Sequence, residues 1–166
     1  GAGAPAGTER PTIVSLNPCT DAILAEVAGP GQLLAISHYS KQESASSMEP
    51  ATAARFAATG GTVEEVLALD PDVVVAGSFI APATRAALED LGLRVVTFGI
   101  AADVAASLAQ IRELAALAGD ASAGARLIAR IDAAIAAFCR AGGALLEGPY
   151  QLAAPEDGPG NKGIFG

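Results

Sequence analysis

Aromatic side chains are scarce in this sequence, which has no tryptophan, two tyrosines and five phenylalanines among 166 residues. Any core must therefore be assembled from small aliphatic side chains, for which a hydrophobic fraction of 51% supplies ample material. Histidine is rarer still: His38 stands alone. One imidazole, with no Asp or Glu placed by motif to orient it, argues against a Ser-His-Asp or Cys-His apparatus and so against an enzyme. Basic residues are few, 10 Lys and Arg against 18 Asp and Glu, and the formal net charge of -8 is offset by no local Lys/Arg cluster. Such a chain repels phosphate backbones and anionic membrane surfaces, which argues against a nucleic-acid partner. Charged, Gly or Pro residues interrupt every apolar run before the roughly 20 residues that a bilayer span needs. The two cysteines, Cys19 and Cys139, open an early helix and close a late one, and whether they pair stays open at this level. A phosphate-binding glycine loop is missing as well, since the Gly-x-Gly stretch lies in the N-terminal arm, ahead of the first strand instead of after it.

What the sequence does contain is an alternation of strand-like and helix-like segments. Residues 12–16, 33–37, 73–76 and 95–98 are short, uniformly apolar, β-rich runs. Uniform hydrophobicity implies strands covered on both faces, so the expected fold is α/β, a Rossmann-like parallel sheet sandwiched by helices. Helices are expected over 20–28, ending at Gly29-Pro30, over 63–69, over 84–91 and from Asp103 to about Ala118. Thr62-Val63-Glu64-Glu65 matches a capping box, in which Thr62 accepts from the Glu65 N–H and the Glu65 carboxylate reaches back to the Thr62 N–H. Asp70-Pro71 then stops the helix. From Ser122 to Arg140, Leu127, Ile128, Ile131, Ile135 and Phe138 form one apolar stripe on a helix about 28 Å long. The organisation predicted is an arm over 1–11, an α/β lobe over 12–121, a long helix over 122–140 and a Gly/Pro-rich tail over 141–166.

In open parallel sheets, ligands sit beyond the carboxyl ends of the strands. The loops there are Asn17-Pro18-Cys19-Thr20, His38-Tyr39-Ser40-Lys41, Gly77-Ser78-Phe79-Ile80 and Gly99-Ile100-Ala101. They offer two aromatics, the histidine and several hydroxyls, a set suited to a broad, partly apolar ligand rather than a bare ion. Cys19 reads either as a nucleophile at a helix start or, more simply, as a small buried thiol. His38-Tyr39 allows iron ligation, but stacking on a ligand or a neighbouring helix is the preferred reading, so no resident metal or cofactor is expected. Glu64 and Glu65 sit in a helix first turn, where the helix dipole alone accounts for them.

The segments 12–18 (Thr-Ile-Val-Ser-Leu-Asn-Pro), 36–40 (Ile-Ser-His-Tyr-Ser), 59–76 (Thr-Gly-Gly-Thr-Val-Glu-Glu and onward through Leu-Asp-Pro-Asp to a valine strand) and 91–96 resemble the cobalamin-, siderophore- and haem-binding proteins of ABC importers. The resemblance spans about Thr12 to Phe138. It implies an exported, periplasmic receptor in which two α/β lobes joined by a long rigid helix hold a corrinoid, siderophore or haem between them. It further implies Tyr39 with Ser78 and Phe79, and His38, as ligand contacts, Pro18 and Cys19 on the cleft floor, and Glu64 as an acidic docking point for the membrane permease. A second lobe of similar size is expected after the long helix, where this sequence offers only Ala141 to Gly166; an open apolar cleft would then favour self-association. Two alternatives stand beside this reading, a small α/β enzyme or nucleotide-binding domain, and a structural or dimerisation module without a ligand.

Overall fold

The computed structural model of the chain describes residues 10–42 and 48–146, with side chains as far as residue 141. The elements run β1 (Ile13–Ser15), α1 (Pro18–Val27), β2 (Leu33–Ser37), a 3₁₀ turn (His38–Lys41), α2 (Pro50–Ala53), β3 (Ala57–Thr59), α3 (Val63–Leu69), β4 (Val73–Gly77), α4 (Pro82–Asp90), β5 (Arg94–Phe98), α5 (Val104–Leu117) and α6 (Ala121–Leu146). Five strands form one sheet in the order β3-β2-β1-β4-β5, and every neighbouring pair is parallel. A parallel sheet of consecutive strand–helix units is the architecture that the uniformly apolar runs predicted.

The period of two along each strand divides the core into halves. Ile13, Val73 and Val75 face α1 and α5, meeting Leu24, Val27, Leu114 and Ala115; Val14, Val74 and Val95 face the other way and meet Val66 of α3 and Leu88 of α4. Helices thus cover both faces. The chain divides into two compact units, one ending at Ile128 and the other beginning at Ala129, of which the described part is the remainder of α6. Among the described residues no helix is long and apolar enough to cross a membrane.

Several expectations are refined. Helix α1 begins at Pro18 instead of Thr20, because the Asn17 side chain accepts from the Cys19 and Thr20 N–H groups and proline fits the first helical position. The capping box is half right. Thr62 accepts from the Glu65 N–H at 3.2 Å, but the Glu65 carboxylate goes instead to the Gly60 N–H at 2.6 Å and the Thr59 hydroxyl at 2.9 Å, tying α3 to the end of β3. Asp70 ends α3 in the left-handed region at φ 51°, away from the right-handed helical geometry that Pro71 disfavours. Strand β3 was not foreseen: Ala57-Ala58-Thr59 carries a single β-branched residue, and its strand state comes from pairing with Ala35, Ile36 and Ser37 at the sheet edge. Helix α6 runs six residues beyond Arg140, since Ala141, Ala144, Leu145 and Leu146 outweigh Gly142-Gly143. Of the arm over 1–11 only Arg10 and Pro11 are described, and of the tail over 141–166 everything after Leu146 lies outside the described residues.

The start of α6 packs so closely on α5 that a Cβ built on buried Gly124 would stand 2.6 Å from the Ala115 Cβ. Gly124→Ala therefore sets a helix-propensity gain of about 1 kcal/mol against an overpacking cost of about 1–3 kcal/mol. A lower midpoint in urea unfolding is the expected result; a higher midpoint would mean that the two helices separate freely.

Candidate functional site

Because all five strands are parallel, the segments that follow them emerge at one edge of the sheet. From one side to the other these are Thr59-Gly60 after β3, His38-Tyr39 after β2, Asn17-Pro18-Cys19 after β1, Ser78-Phe79 after β4 and Gly99-Ile100 after β5. The predicted residues therefore share an edge. Beyond it, large apolar side chains stand in solvent: Phe79 is 71% exposed, Ile100 87% and Tyr39 49%. Scattered single apolar residues on a surface are ordinary; here Phe79 and Ile100 stand beside one cleft, while Tyr39 stands apart from it on the segment after β2.

Between α1, the end of β5 and α5 lies a cleft of about 390 Å³, with Asn17, Cys19, Phe79, Phe98, Ile100 and Gln110 among its lining residues. Its size is at the lower end for organic ligands, and apolar surface with a few convergent polar groups is the usual lining of such sites. Asn17 is fixed by its helix-capping bonds, and the Gln110 side chain donates to the Gly99 carbonyl at 2.6 Å, holding the loop after β5 against α5.

Cys19 and Phe79 of the predicted set lie together in this cleft, while Pro18, His38, Tyr39 and Ser78 do not line it. Cys19 is exposed, which corrects the expectation of a buried thiol: it stands at the start of α1 facing the cleft, while Thr20 and Asp21 of the same turn point into the core. Both Cys19 and Cys139 are free thiols. Pro18 occupies the first position of α1. Ser78 is exposed, its N–H donating to the Phe98 carbonyl at 2.9 Å. The His38 and Tyr39 rings lie 4.1 Å apart at a tilt of 35°, so the two stack on each other, and His38 Nδ1 approaches the Thr59 carbonyl at 3.3 Å. Among the described residues no group of three or more His, Cys, Asp or Glu is gathered to hold a metal ion. Glu64 is exposed on the first turn of α3. Beside it, the Gly60 N–H and then the Thr59 hydroxyl lower the pKa of Glu65, with the nearby His38 acting in the same direction.

A buried carboxyl lies behind the rim. Asp21, in the first turn of α1, has no exposed surface, and burial raises its pKa from 3.8 to about 7 against the Ser15 and Ser40 hydroxyls and the Ser37 N–H, which act the other way. Sequence reading missed Asp21, and also Phe98, Ile100 and Gln110 as cleft residues. Ile100 lay within an inspected loop, whereas Gln110 gave only the weak signal of an amide one residue before the buried stripe of α5.

A model of the family described as periplasmic binding protein matches residues 13–141. No curated protein is significantly similar in sequence. Among solved structures, a periplasmic haem-binding protein from Roseiflexus sp. RS-1 is 21% identical with a TM-score of 0.60, the match covering 77% of this chain and 48% of that one. A periplasmic vitamin B12-binding protein of Vibrio cholerae is 22% identical with a TM-score of 0.54, covering 71% and 44%. A possible iron-binding, periplasmic solute-binding protein from Staphylococcus epidermidis is 14% identical with a TM-score of 0.65, covering 89% and 53%. The chain spans about half the length of the solved structures it resembles.

Proposed function

Since this chain belongs to the periplasmic binding protein family, we propose that it is the ligand-capturing lobe of an exported receptor that delivers haem, cobalamin or a ferric siderophore to the permease of an ABC importer. The observation that carries this reading is the apolar cleft at which Phe79 and Ile100 stand exposed, with Tyr39 exposed on the same sheet edge. A broad ligand with an apolar face fits such a rim, because stacking and burial supply affinity while a few amides and hydroxyls orient it. In this reading Tyr39, His38, Ser78 and Phe79 contact the ligand directly, Pro18 and Cys19 lie beneath it, and no bond is made or broken. With about half the length of its structural relatives, the chain supplies one wall of a cleft whose other wall belongs to a second lobe. Solved relatives that bind haem and vitamin B12 support the ligand class, and nothing in the rim's chemistry selects among its members.

Titration of the chain with haemin, cyanocobalamin and a ferric siderophore, followed by calorimetry, tests the proposal. Saturable binding of one of the three without chemical change is expected, and the absence of binding by all three to a form that also carries the second lobe would remove this ligand class. Glu64 is the proposed acidic contact for arginines of the permease. Because its carboxylate is exposed, Glu64→Ala should change stability by no more than about 0.5 kcal/mol and leave ligand affinity unaltered while weakening docking to permease-containing vesicles. Docking that is indifferent to the substitution would leave Glu64 a helix-dipole partner only.

A further inference from the structure

Asp21 has no contact with solvent, yet both hydrogen bonds to its Oδ2 come from one short stretch of chain. The Ser37 N–H donates at 2.9 Å and the Ser40 hydroxyl at 2.6 Å. Within that stretch the Ser37 hydroxyl oxygen accepts from the Tyr39 N–H at 3.1 Å, and the Gln42 N–H closes on the Tyr39 carbonyl at 3.0 Å. One oxygen on α1 thus fixes the segment that displays Tyr39 at the rim. The companion oxygen, Oδ1, is buried without a hydrogen-bond partner. A bare buried acceptor is unfavourable, and far more so when it carries charge. A proton placed on Oδ1 removes that charge, whereas the Ser15 hydroxyl near the carboxyl favours the ionised form without outweighing burial.

We propose that Asp21 is the positioning residue of the His38–Tyr39 turn: its buried carboxyl clamps the turn shut when protonated and, on ionisation, drives the turn to open and admit water. The groups facing it support this. On the turn itself, His38 Nδ1 is directed to the Thr59 carbonyl and Lys41 Nζ donates to the Ala53 and Phe56 carbonyls at 2.8 and 2.6 Å, so neither is spent on Asp21; Tyr39 stands half in solvent. Strands β1, β2 and β4 contain no ionisable side chain. Cys19 and Glu26 of α1, and Arg112 and Glu113 of α5, are exposed. Among the described residues no cation pairs with Asp21, so its ionised form would be a buried charge supported only by the Ser37 N–H and the Ser15 and Ser40 hydroxyls.

The direction of the effect follows from linkage. Burial raises the Asp21 pKa to about 7 in the closed turn, whereas an open, hydrated turn returns the carboxyl to its ordinary range. Opening must then become easier as pH rises, by about tenfold per pH unit until the closed-state carboxyl ionises, and level off above that. The inference rests on the proposed ligand site for one consequence, that a ligand resting on Tyr39 is held more firmly on the acid side of neutrality. The structural claim itself can be measured without a ligand, so its failure and that of the ligand reading are distinguishable.

Amide hydrogen exchange on the whole chain, followed by NMR between pH 5 and 8 and corrected for intrinsic base catalysis, provides the test. In the parent chain the protection factors of the Ser37, Tyr39 and Gln42 amides should fall by roughly 100-fold between pH 5 and 7, while those of Val74 and Leu114 change far less. Asp21→Asn, which keeps the acceptor and replaces Oδ1 with a donor, should retain protection and lose its pH dependence. Asp21→Ala should expose the turn at every pH, and if that variant does not fold, the asparagine comparison decides. Protection in the parent turn that is flat with pH, or an Asp21→Asn profile as steep as the parent's, would overturn the proposal.

Discussion

Asp21→Asn is expected to be more stable than the parent chain above neutral pH and to abolish a fall in stability that the parent shows between about pH 5 and 7. The carboxyl titrates near 3.8 when solvated and near 7 in the fold, so over the interval between those values the folded chain holds a proton that the unfolded chain has released. Stability therefore declines as pH rises through this interval. At 1.36 kcal/mol per unit, a difference of about three units caps the effect at about 4 kcal/mol, and water entry or relaxation of the 3₁₀ turn lowers it. Glu65 and Asp120 oppose this trend. Hydrogen bonds from the Gly60 N–H and the Thr59 hydroxyl lower the first, and those from the Ser122 hydroxyl and the Ala123 N–H lower the second, so their contributions are present above the ordinary carboxylate range and are lost as pH falls through their depressed values. Glu65 is exposed and screened by solvent, and both carboxylates stay ionised across neutral pH because their pKa values are lowered, which leaves Asp21 dominant there. Urea unfolding at half-unit steps from pH 5 to 8 reads the profile directly, and parallel curves for parent and variant would show that the carboxyl is hydrated in the folded chain.

This result would separate what the sequence reveals from what only the fold assembles. Strands β1, β2, β4 and β5 were legible because Ile13 to Ser15, Leu33 to Ser37, the valines from Val73 and Val95-Val96 are short apolar runs bounded by Gly, Pro and Asp, a pattern set locally. The shared rim was legible too, since a parallel sheet places all of its carboxyl ends together whatever the strand order. Asp21 was not. It sits in a run, Thr20-Asp21-Ala22-Ile23, that reads as an ordinary first turn, and the Ser37 and Ser40 groups that bury it are 16 and 19 residues away. Glu65 shows the same limit on a smaller scale. Its spacing from Thr62 predicted a reciprocal cap, but β3 brought the Gly60 N–H nearer, and that strand owes its existence to β2 rather than to Ala57-Ala58-Thr59. Cys19 was judged by residue type, which favours burial, whereas it stands at the start of α1 and its side chain faces the cleft.

The largest loss of rim geometry from one substitution is expected at Gly77, the last residue of β4. It needs no left-handed conformation, so glycine here answers a demand for space: a Cβ would stand 2.8 Å from Asn17 Nδ2 and from Cε1 and Cζ of Phe79. Local propensity points the other way, since a β-branched residue at a strand end is usually welcome. Gly77→Val should push both the Phe79 ring and the Asn17 amide out of the cleft they line, at an overpacking cost of about 1–3 kcal/mol. Affinity for whichever of haemin, cyanocobalamin or the ferric siderophore the parent binds should fall by about 10- to 100-fold, or about 1.4 to 2.8 kcal/mol. Destabilisation alone would also lower the fraction of competent protein, so Gly124→Ala serves as the control, being overpacked between α5 and α6 and absent from the cleft lining. If Gly124→Ala weakens binding as much as Gly77→Val at matched stability, the cleft after β4 and β5 is not the capture surface. If only Gly77→Val does, the pose of Phe79 is what the ligand reads, because the two variants share a strain mechanism and differ only in where it is applied.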